Sequence, residues 1–571
     1  LVFQENSLKE EIISLLREAA AKVAEEKGFP WQDDFPVLVE VTRDEKFGDF
    51  SSNLAMDLSS RTGSPRIPPR ELGEAIVSAL PAGGGLVERA EIAGPGFMNF
   101  FVRREKWVQA LGEVLLLDGR YGRSDVGGGR KVQVEFVSAN PTGPLHLGHG
   151  RGAAVGDILS SILAATGYAV EKEFYVNDAG RQIEMLALSV LARCRELQGM
   201  GEDFPEDGYR GQYVYDLAKE VLGEKGEGFV DLPEDESLAF LREFAPSIVL
   251  EWIRRDLALF GVSFDRWFSE KSLYTGGRWE EVVAELKEKD LLFTEEDALW
   301  FRSSSFGDEK DRVVVKNDGS RTYLASDILY HEDKFRRGFE QVINLWGADH
   351  HGYVPRMKAV VEALGHAPED LAVRLIQLVS LTRGGKAVAM GKRQGEFTTL
   401  AEVVDEVGKD AARFFFLMRR CDSSLEFDLD LAKERSADNP VFYVQYAHAR
   451  ISSIFRARKE KGLFSPEPAK VNLDPLRLPE EMSLIKRIAL YPDVLAACAQ
   501  GLEPHPLAQY LVALSKAFHS YYNKVRVITD DEELSQARLG MVQAVRIVIR
   551  NALEIMGITA PEKMDKREDG S

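Results

Sequence analysis

A chain of 571 residues is too long for one hydrophobic core and divides into three or four domains. With 44% hydrophobic and 29% charged residues it has an ordinary soluble balance, and no run approaches the roughly 18 uninterrupted apolar residues needed to cross a bilayer. A formal charge of −20 argues against a uniformly basic nucleic-acid binder, although contact with phosphates depends on local lysines and arginines and not on the net sum.

Residues 1–108 read as an α+β module. A helix is expected over Leu8–Lys27, a strand over Val37–Val41, Pro-led helices around Leu54 and Glu71, and a hairpin of Val87–Ile92 and Phe97–Val102 joined by Ala93-Gly-Pro-Gly96. Residues 109–129 read as a linker ending in a flexible Gly127-Gly-Gly129 joint.

Residues 130–395 carry the chemistry. The β-branched run Lys131–Val137 alternates inward Val132, Val134 and Phe136 with polar neighbours and stops at the turn residues Ser138–Pro144. His146-Leu-Gly-His149 follows, directly before a small-residue helix over Gly150–Ala165, with Gly167 as its stop and a strand over Tyr168–Val176 behind it. This is a βαβ unit. A helix start has free N–H groups and a positive dipole end, so two imidazoles there, with Gly148 leaving bare backbone between them, form a place for a nucleotide's phosphates. Three other readings compete for these residues. Gly148-His-Gly-Arg-Gly-Ala153 loosely fits a dinucleotide fingerprint with Glu171 or Glu173 on the ribose, although such a fingerprint turns straight off its strand and a seven-residue loop intervenes here. The histidines could simply cap the helix, or bind zinc, for which no supporting Cys or Glu lies at a fitting spacing.

An acidic stretch, about 199–305, reads as an insertion between the halves of a doubly wound parallel sheet whose ligand crevice lies at the switch point. Arg312–Val315 is expected as a strand, followed by Tyr323–Asp327 and by Gln341–Trp346 leading into Gly347-Ala-Asp-His-His351. Arg383-Gly-Gly-Lys386 leads into Met390-Gly-Lys-Arg-Gln-Gly395, a glycine-flanked loop whose cations could reach a triphosphate; a loop of solvated charges is the plainer alternative.

Residues 396–438 read as a connecting segment and 439–571 as an all-α bundle, with helices near Val441–Lys461, Pro479–Gln500, Leu507–Lys524 and Glu532–Met556. Phe442, Tyr443 and Tyr446 could stack on unpaired bases or belong to the core. Arg413, Arg419 and Arg420, and Arg450, Arg456, Arg458, Lys459 and Lys461, are basic clusters compatible with RNA contact. Cys194, Cys421 and Cys498 fit neither a disulfide framework nor a zinc site and read as buried thiols.

Ser138–Gly152 resembles the His-x-Gly-His signature of class I aminoacyl-tRNA synthetases, in the form typical of bacterial arginyl-tRNA synthetases, and matching features run from Gly48–Met56 to Gly557–Met564. The 383–395 loop lines up with the second class I signature, Lys-Met-Ser-Lys-Ser, but departs from it: Ala389 stands where the first Lys would be and Gly391 replaces Ser. The resemblance implies a multidomain α/β protein: an N-terminal α+β module that leans on the outer corner of tRNA, a Rossmann-like catalytic domain with an insertion, and a C-terminal anticodon-binding helical bundle. It implies that ATP and L-arginine give arginyl adenylate. Arginine then passes to the 3′-terminal adenosine of tRNA(Arg), with AMP and pyrophosphate released and the tRNA bound before activation.

By resemblance His146, His149 and Lys392 act on the phosphates, with Lys386 a helper, and Gly148, Asp349 and Met390 complete the ATP site. Glu135, Asn140, Tyr323, Asp327 and His350 match the arginine pocket, since a guanidinium calls for planar carboxylates in a site dry enough to reject lysine. ATP is expected as Mg-ATP, with no structural metal, no DNA, no membrane, a monomer, and the cytoplasm as compartment, the chain opening without a secretion-signal pattern. A nucleotide- and tRNA-binding relative without catalysis is the alternative that the missing first Lys suggests.

Overall fold

Local chemistry sets the first element. The Ser7 hydroxyl accepts from the Glu10 N–H at 3.2 Å, Glu10 and Glu11 sit in the first turn and Lys27 in the last, and Gly28 closes the helix at φ +73°. Leu8–Lys27 is therefore helical over the expected range, burying Ile12, Leu16, Ala19, Ala20 and Val23. It packs against a four-stranded antiparallel sheet in the order Val39–Val41, Phe50–Ser52, Phe97–Val102, Val87–Ala93. The short Leu54–Ser59 helix follows Asn53 and is not Pro-led. Pro69–Ser78 is. The computed structural model describes residues 7–42, 44–63, 66–81, 85–201, 204–388, 398–462, 467 and 469–564.

The stretch expected as a linker is mostly ordered structure. Arg104–Leu117 is a helix burying Trp107, Val108, Leu111, Val114 and Leu115, and its Arg104 guanidinium donates to Asp474 and Leu476 carbonyls in the C-terminal bundle at 2.7 and 2.9 Å. Nor is the triple glycine a loose joint. Gly127 and Gly129 N–H groups donate to Thr166 and Gly167 carbonyls at 2.8 Å each, and a Cβ on Gly127 would meet the Tyr168 ring at 2.5 Å. Gly127 serves close approach, while Gly128 and Gly129 take the left-handed conformation at φ +56° and +73°.

The catalytic region is built on five parallel strands in the order Leu371–Ile376, Gln341–Gly347, Lys131–Glu135, Ala169–Val176, Arg266–Ser269. The chain runs outward from Lys131–Glu135 to Arg266–Ser269, then returns to the other side with Gln341–Gly347. Strand order thus reverses between two neighbours whose carboxyl ends flank a crevice, as expected for a doubly wound sheet. The helix Leu147–Ala165 lies so close on this sheet that a Cβ at Gly156 would stand 2.2 Å from the Phe136 ring, which explains its small residues. Both faces are covered, so the expected outward polar positions are buried too: Gln133 is 0% and Glu135 7% exposed. Each finds a partner. Gln133 and Tyr330 donate to Glu173 at 2.7 and 2.6 Å, with Arg337 on the same carboxylate.

Two expectations fail in this region. The 199–305 stretch does not lie wholly outside the sheet, because after the helices Gln212–Lys225 and Glu234–Leu259 it supplies the edge strand Arg266–Ser269. Conversely Arg312–Val315 is a strand but joins a small antiparallel sheet with Ala298–Phe301 and Leu292–Glu295.

The C-terminal part is helical: Pro440–Glu460, Pro479–Ala489, Tyr491–Gly501, His505–Lys524 and Glu532–Ile555. The expected single helix over 479–500 breaks at Leu490, where Pro492 lacks the N–H to continue it. Arg413 is no RNA contact. It is fully buried, donating to Asp157 at 2.6 Å and the Met556 carbonyl at 2.7 Å, and so pins the bundle to the catalytic helix. Arg458 is buried as well, at 3%. All three cysteines are buried free thiols, and burial pushes Cys194 and Cys498 up to about 12. No helix among the described residues is long and apolar enough to cross a membrane.

Candidate functional site

At the switch point the first strand ends early, at Glu135, because Val137 and Ser138 turn into the left-handed region at φ +68° and +40°. Such a conformation is unfavourable for a β-branched residue and costs about 1–3 kcal/mol. It turns the chain across the crevice and lets the Ser138 hydroxyl donate to Glu135 Oε1 at 2.9 Å while accepting the Tyr175 N–H at 3.2 Å.

Behind this turn lies a cavity of about 530 Å³, and all five residues expected to hold arginine line it: Glu135, Asn140, Tyr323, Asp327 and His350. Glu135 comes from the first strand and Asp327 from the first turns of the Tyr323–Arg336 helix. Tyr323, 69% exposed, stands at the rim. Asn140 donates to Gln182 at 2.6 Å.

The carboxylates are held differently. Glu135 is neither at a solvated edge nor unpaired: the Lys334 ammonium, fully buried, sits 2.6 Å from its Oε2. Asp327 accepts from the Tyr353 hydroxyl, yet burial and the nearby Glu135 and Glu270 charges push it up to about 7. Glu270, which sequence reasoning missed, is buried and also raised by burial, accepting from Ser326 at 2.7 Å. It follows the edge strand Arg266–Ser269, so recognising that strand would have placed it at the same sheet edge as Glu135. Three carboxylates against one ammonium make a cavity suited to a cationic guest, with Tyr175 and Tyr353, both kept protonated by burial, as further walls.

The histidine pair sits one turn further into the helix than expected, and both residues do cap it. His146 is the N-cap; its Nδ1 accepts the Gly148 N–H at 3.1 Å, while His149 Nδ1 accepts the His146 N–H at 3.3 Å. The rings stack with centroids 3.7 Å apart. Since both rings accept through Nδ1, a neutral imidazole at either position carries its proton on Nε2. Burial, with the neighbouring His146, pushes His149 down to about 3, so it is a neutral donor throughout the physiological range. Capping and phosphate donation therefore use different nitrogens and do not exclude one another.

His146, Gly148 and His149 are not among the residues lining the cavity; they start the helix that leaves the same loop. Asp349 lies outside its lining too, with its side chain 82% exposed and 3.6 Å from His350. Met390 and Lys392 lie outside the described residues. The described flank after them is fixed beside the histidines: Thr399 pairs with His146, and the Leu400 N–H donates to the Leu145 carbonyl at 2.8 Å. Gly150 makes room for this, since a Cβ there would meet Leu400 at 2.6 Å. Lys386 pairs with Arg383 in a short antiparallel strand and is exposed.

In the helical bundle, Phe442, Tyr443 and Tyr446 are half-buried on the wall of a groove of about 870 Å³ with Lys433, Arg435 and Arg450. Tyr446 and His519 stack at 5.8 Å, and the Arg450 guanidinium lies 4.6 Å over the Tyr446 ring.

Comparison with known proteins agrees with this layout. The family described as "tRNA synthetases class I (R), catalytic domain" matches residues 110–423, a stretch that holds both the cavity and the histidine pair. An arginine–tRNA ligase of Syntrophotalea carbinolica is 52% identical over 528 residues, 92% of this chain and 95% of that protein. The chain belongs to the arginine–tRNA ligase family. A second relative of that name, from Desulfosudis oleivorans, is 50% identical and is covered over its whole length by 98% of this chain. The "Arginyl tRNA synthetase N terminal domain" matches residues 8–102 and the "DALR anticodon binding domain" residues 444–564. The Thermus thermophilus arginyl-tRNA synthetase structure superposes with a TM-score of 0.74 at 23% identity, over 96% of this chain and all of that one, and shares the fold.

Proposed function

We propose that the cavity at the switch point receives the arginine side chain, its guanidinium between Glu135 and Asp327, and that the start of the Leu147–Ala165 helix receives the triphosphate of ATP. As a member of its family the chain activates L-arginine with ATP and transfers it to tRNA. The convergence of carboxylates from separate elements where the strand order reverses carries the assignment. A planar cation with five donors can engage two carboxylates at once, whereas the ammonium of lysine is a point charge that leaves such a site partly unsatisfied.

In the first step a carboxylate oxygen of arginine attacks the α-phosphorus, and the bond to the bridging oxygen of the β-phosphate breaks. Pyrophosphate leaves with that electron pair. In the second, the 3′-terminal adenosine hydroxyl of tRNA attacks the acyl carbon, the bond from that carbon to the phosphate oxygen breaks with its electron pair leaving on AMP, and the hydroxyl proton passes to solvent. Positioning and stabilisation of developing charge suffice for this, and no nucleophilic side chain is required. His149, and His146 with its Nε2, supply donors to the α/β side; Lys392 is assigned to the departing pyrophosphate, Gly148 and Met390 to the nucleotide and Asp349 to its ribose. ATP enters as its magnesium complex. In the bundle the Phe442/Tyr443/Tyr446 wall, with Arg450, is suited to unpaired anticodon bases and backbone phosphate.

The test is exchange of labelled pyrophosphate into ATP in the presence of tRNA. Exchange is expected with arginine and not with lysine, and Asp327→Ala should raise the KM for arginine far more than that for ATP. Equal effects on the two constants would remove the cavity assignment.

A further inference from the structure

Beneath the cavity Glu135 is joined to a line of buried polar groups, Lys334, Asn344 and His331, that no step above uses. Lys334 Nζ donates to Glu135 Oε2 at 2.6 Å and to Asn344 Oδ1 at 3.0 Å; the Asn344 amide meets His331 Nε2 at 3.0 Å; and His331 Nδ1 lies 2.9 Å from the backbone carbonyl of Asp327. Lys334 and Asn344 are 0% exposed, and the Lys334 ammonium lies 4.1 Å over the Tyr330 ring. A lysine so placed cannot touch a substrate. Its long stem is spent on reaching one carboxylate oxygen from below, leaving Glu135 Oε1, held by Ser138, toward the cavity.

We propose that Lys334 is a positioning residue for arginine selection: by neutralising Glu135 from the protein side it lets Glu135 and Asp327 be ionised together, so that both can face the guanidinium. The proposal rests on the assignment of the cavity to arginine. Without an internal cation, two carboxylates facing one enclosed space, with Glu270 as a third, disfavour one another's ionisation. Charges act on Asp327 from every side: Glu135 and Glu270 raise it and Lys334 lowers it. Tyr175, Tyr274 and Tyr353 face it from neighbouring elements and stay protonated, His331 on its own helix is neutral, held down to about 3, and His350 lies across the cavity.

The experiment is kcat/KM for arginine against pH in the full-length enzyme with tRNA, for four proteins: wild type, Lys334→Met, Glu135→Gln, and the double variant. Lys334→Met should move the acidic limb up by about one pH unit or more, an opposite charge within a few ångströms being worth that much, which is about tenfold in kcat/KM at a pH on the limb. The KM for ATP should hold. Glu135→Gln, which leaves the ammonium alone beside Asp327, should move the limb down, and adding Lys334→Met to it should bring it back toward the wild-type position. A merely structural lysine would lower activity without moving the midpoint in either background, and that result would overturn the proposal. Where Lys334→Met alone does not fold, the comparison of Glu135→Gln with the double variant, which removes both members of the buried Lys334–Glu135 pair, reads the same displacement. If Glu135→Gln leaves the arginine KM unchanged, the cavity assignment fails instead, so the two outcomes are distinct.

Discussion

Arginine use should fall steeply as the medium is acidified through neutrality, and the cause should be a single carboxyl group. Burial and the flanking Glu135 and Glu270 charges raise Asp327 to about 7. A guanidinium pairs with the ionised form, so binding is at full strength above pH 7 and is lost as the pH drops below it. One unit lower, about ten of every eleven molecules carry the proton, so kcat/KM for arginine should drop about tenfold at pH 6 and about a hundredfold at pH 5. The assay is tRNA-dependent pyrophosphate exchange across pH 5–8.5, at limiting arginine and then at limiting ATP. At saturating arginine the bound guanidinium holds Asp327 ionised, so kcat/KM for ATP should stay flat over most of the same interval. Asp327→Asn should abolish the limb and lower kcat/KM for arginine at pH 8 by about 10- to 100-fold, in line with the roughly 1.5–3 kcal/mol of a hydrogen bond to a charged group. A limb that survives in Asp327→Asn would refute the reasoning, because another group would then be titrating.

His149→Gln keeps an acceptor for the His146 N–H and so should leave the thermal midpoint near wild type, while kcat falls about a hundredfold through loss of a donor to developing charge; unchanged kcat would mean that the ring only caps the helix. Because His149 sits near 3, it should contribute no titration to activity between pH 5 and 8, and its imidazole resonances should report a neutral ring over that range. Gly156→Ala puts a methyl 2.2 Å from Phe136, so it should destabilise by about 1–3 kcal/mol despite the better helix propensity of alanine. The lowered urea midpoint checks this, and a neutral or stabilised variant would show that the helix can move off the sheet.

What could be read from the sequence was what local chemistry decides. Ser7, the acidic first turn and Gly28 bound the first helix without a distant partner, and the turn residues Ser138–Pro144 mark the end of the central strand to within a few residues, the strand stopping at Glu135 where Val137 and Ser138 turn left-handed. The five positions that the resemblance assigns to an arginine pocket share one cavity. What stayed hidden depends on contacts far apart in sequence. Arg266–Ser269 is four residues long, too short for periodicity to announce it, and becomes a strand only by pairing with Ala169–Val176; with it went Glu270. Gly127–Gly129 has the composition of a loose joint, and only the position of Thr166–Tyr168 shows that it is tied. Lys334 lies beyond the Tyr323–Asp327 stretch read from the sequence, and its pairing with Glu135 shows only when the central strand is placed across from its helix.

The same long-range origin governs the chemistry of the cavity. No property of Asp327 or its neighbours in the chain sets its protonation; that state is set first by burial and then by Tyr353, Glu135, Glu270 and Lys334, which reach it from three other segments and from further along its own helix. A site with raised carboxyl pKa values carries unfavourable electrostatic free energy above neutrality, since the folded state holds its proton more tightly than the unfolded chain does. A cationic guest offsets that cost by pairing with the ionised carboxylates. On the assignment of this cavity to arginine, a neutral isostere, equal in shape but lacking the charge, should therefore bind far more weakly than arginine above neutrality, and its affinity should not fall as the pH drops through 7, because it gains nothing from an ionised Asp327.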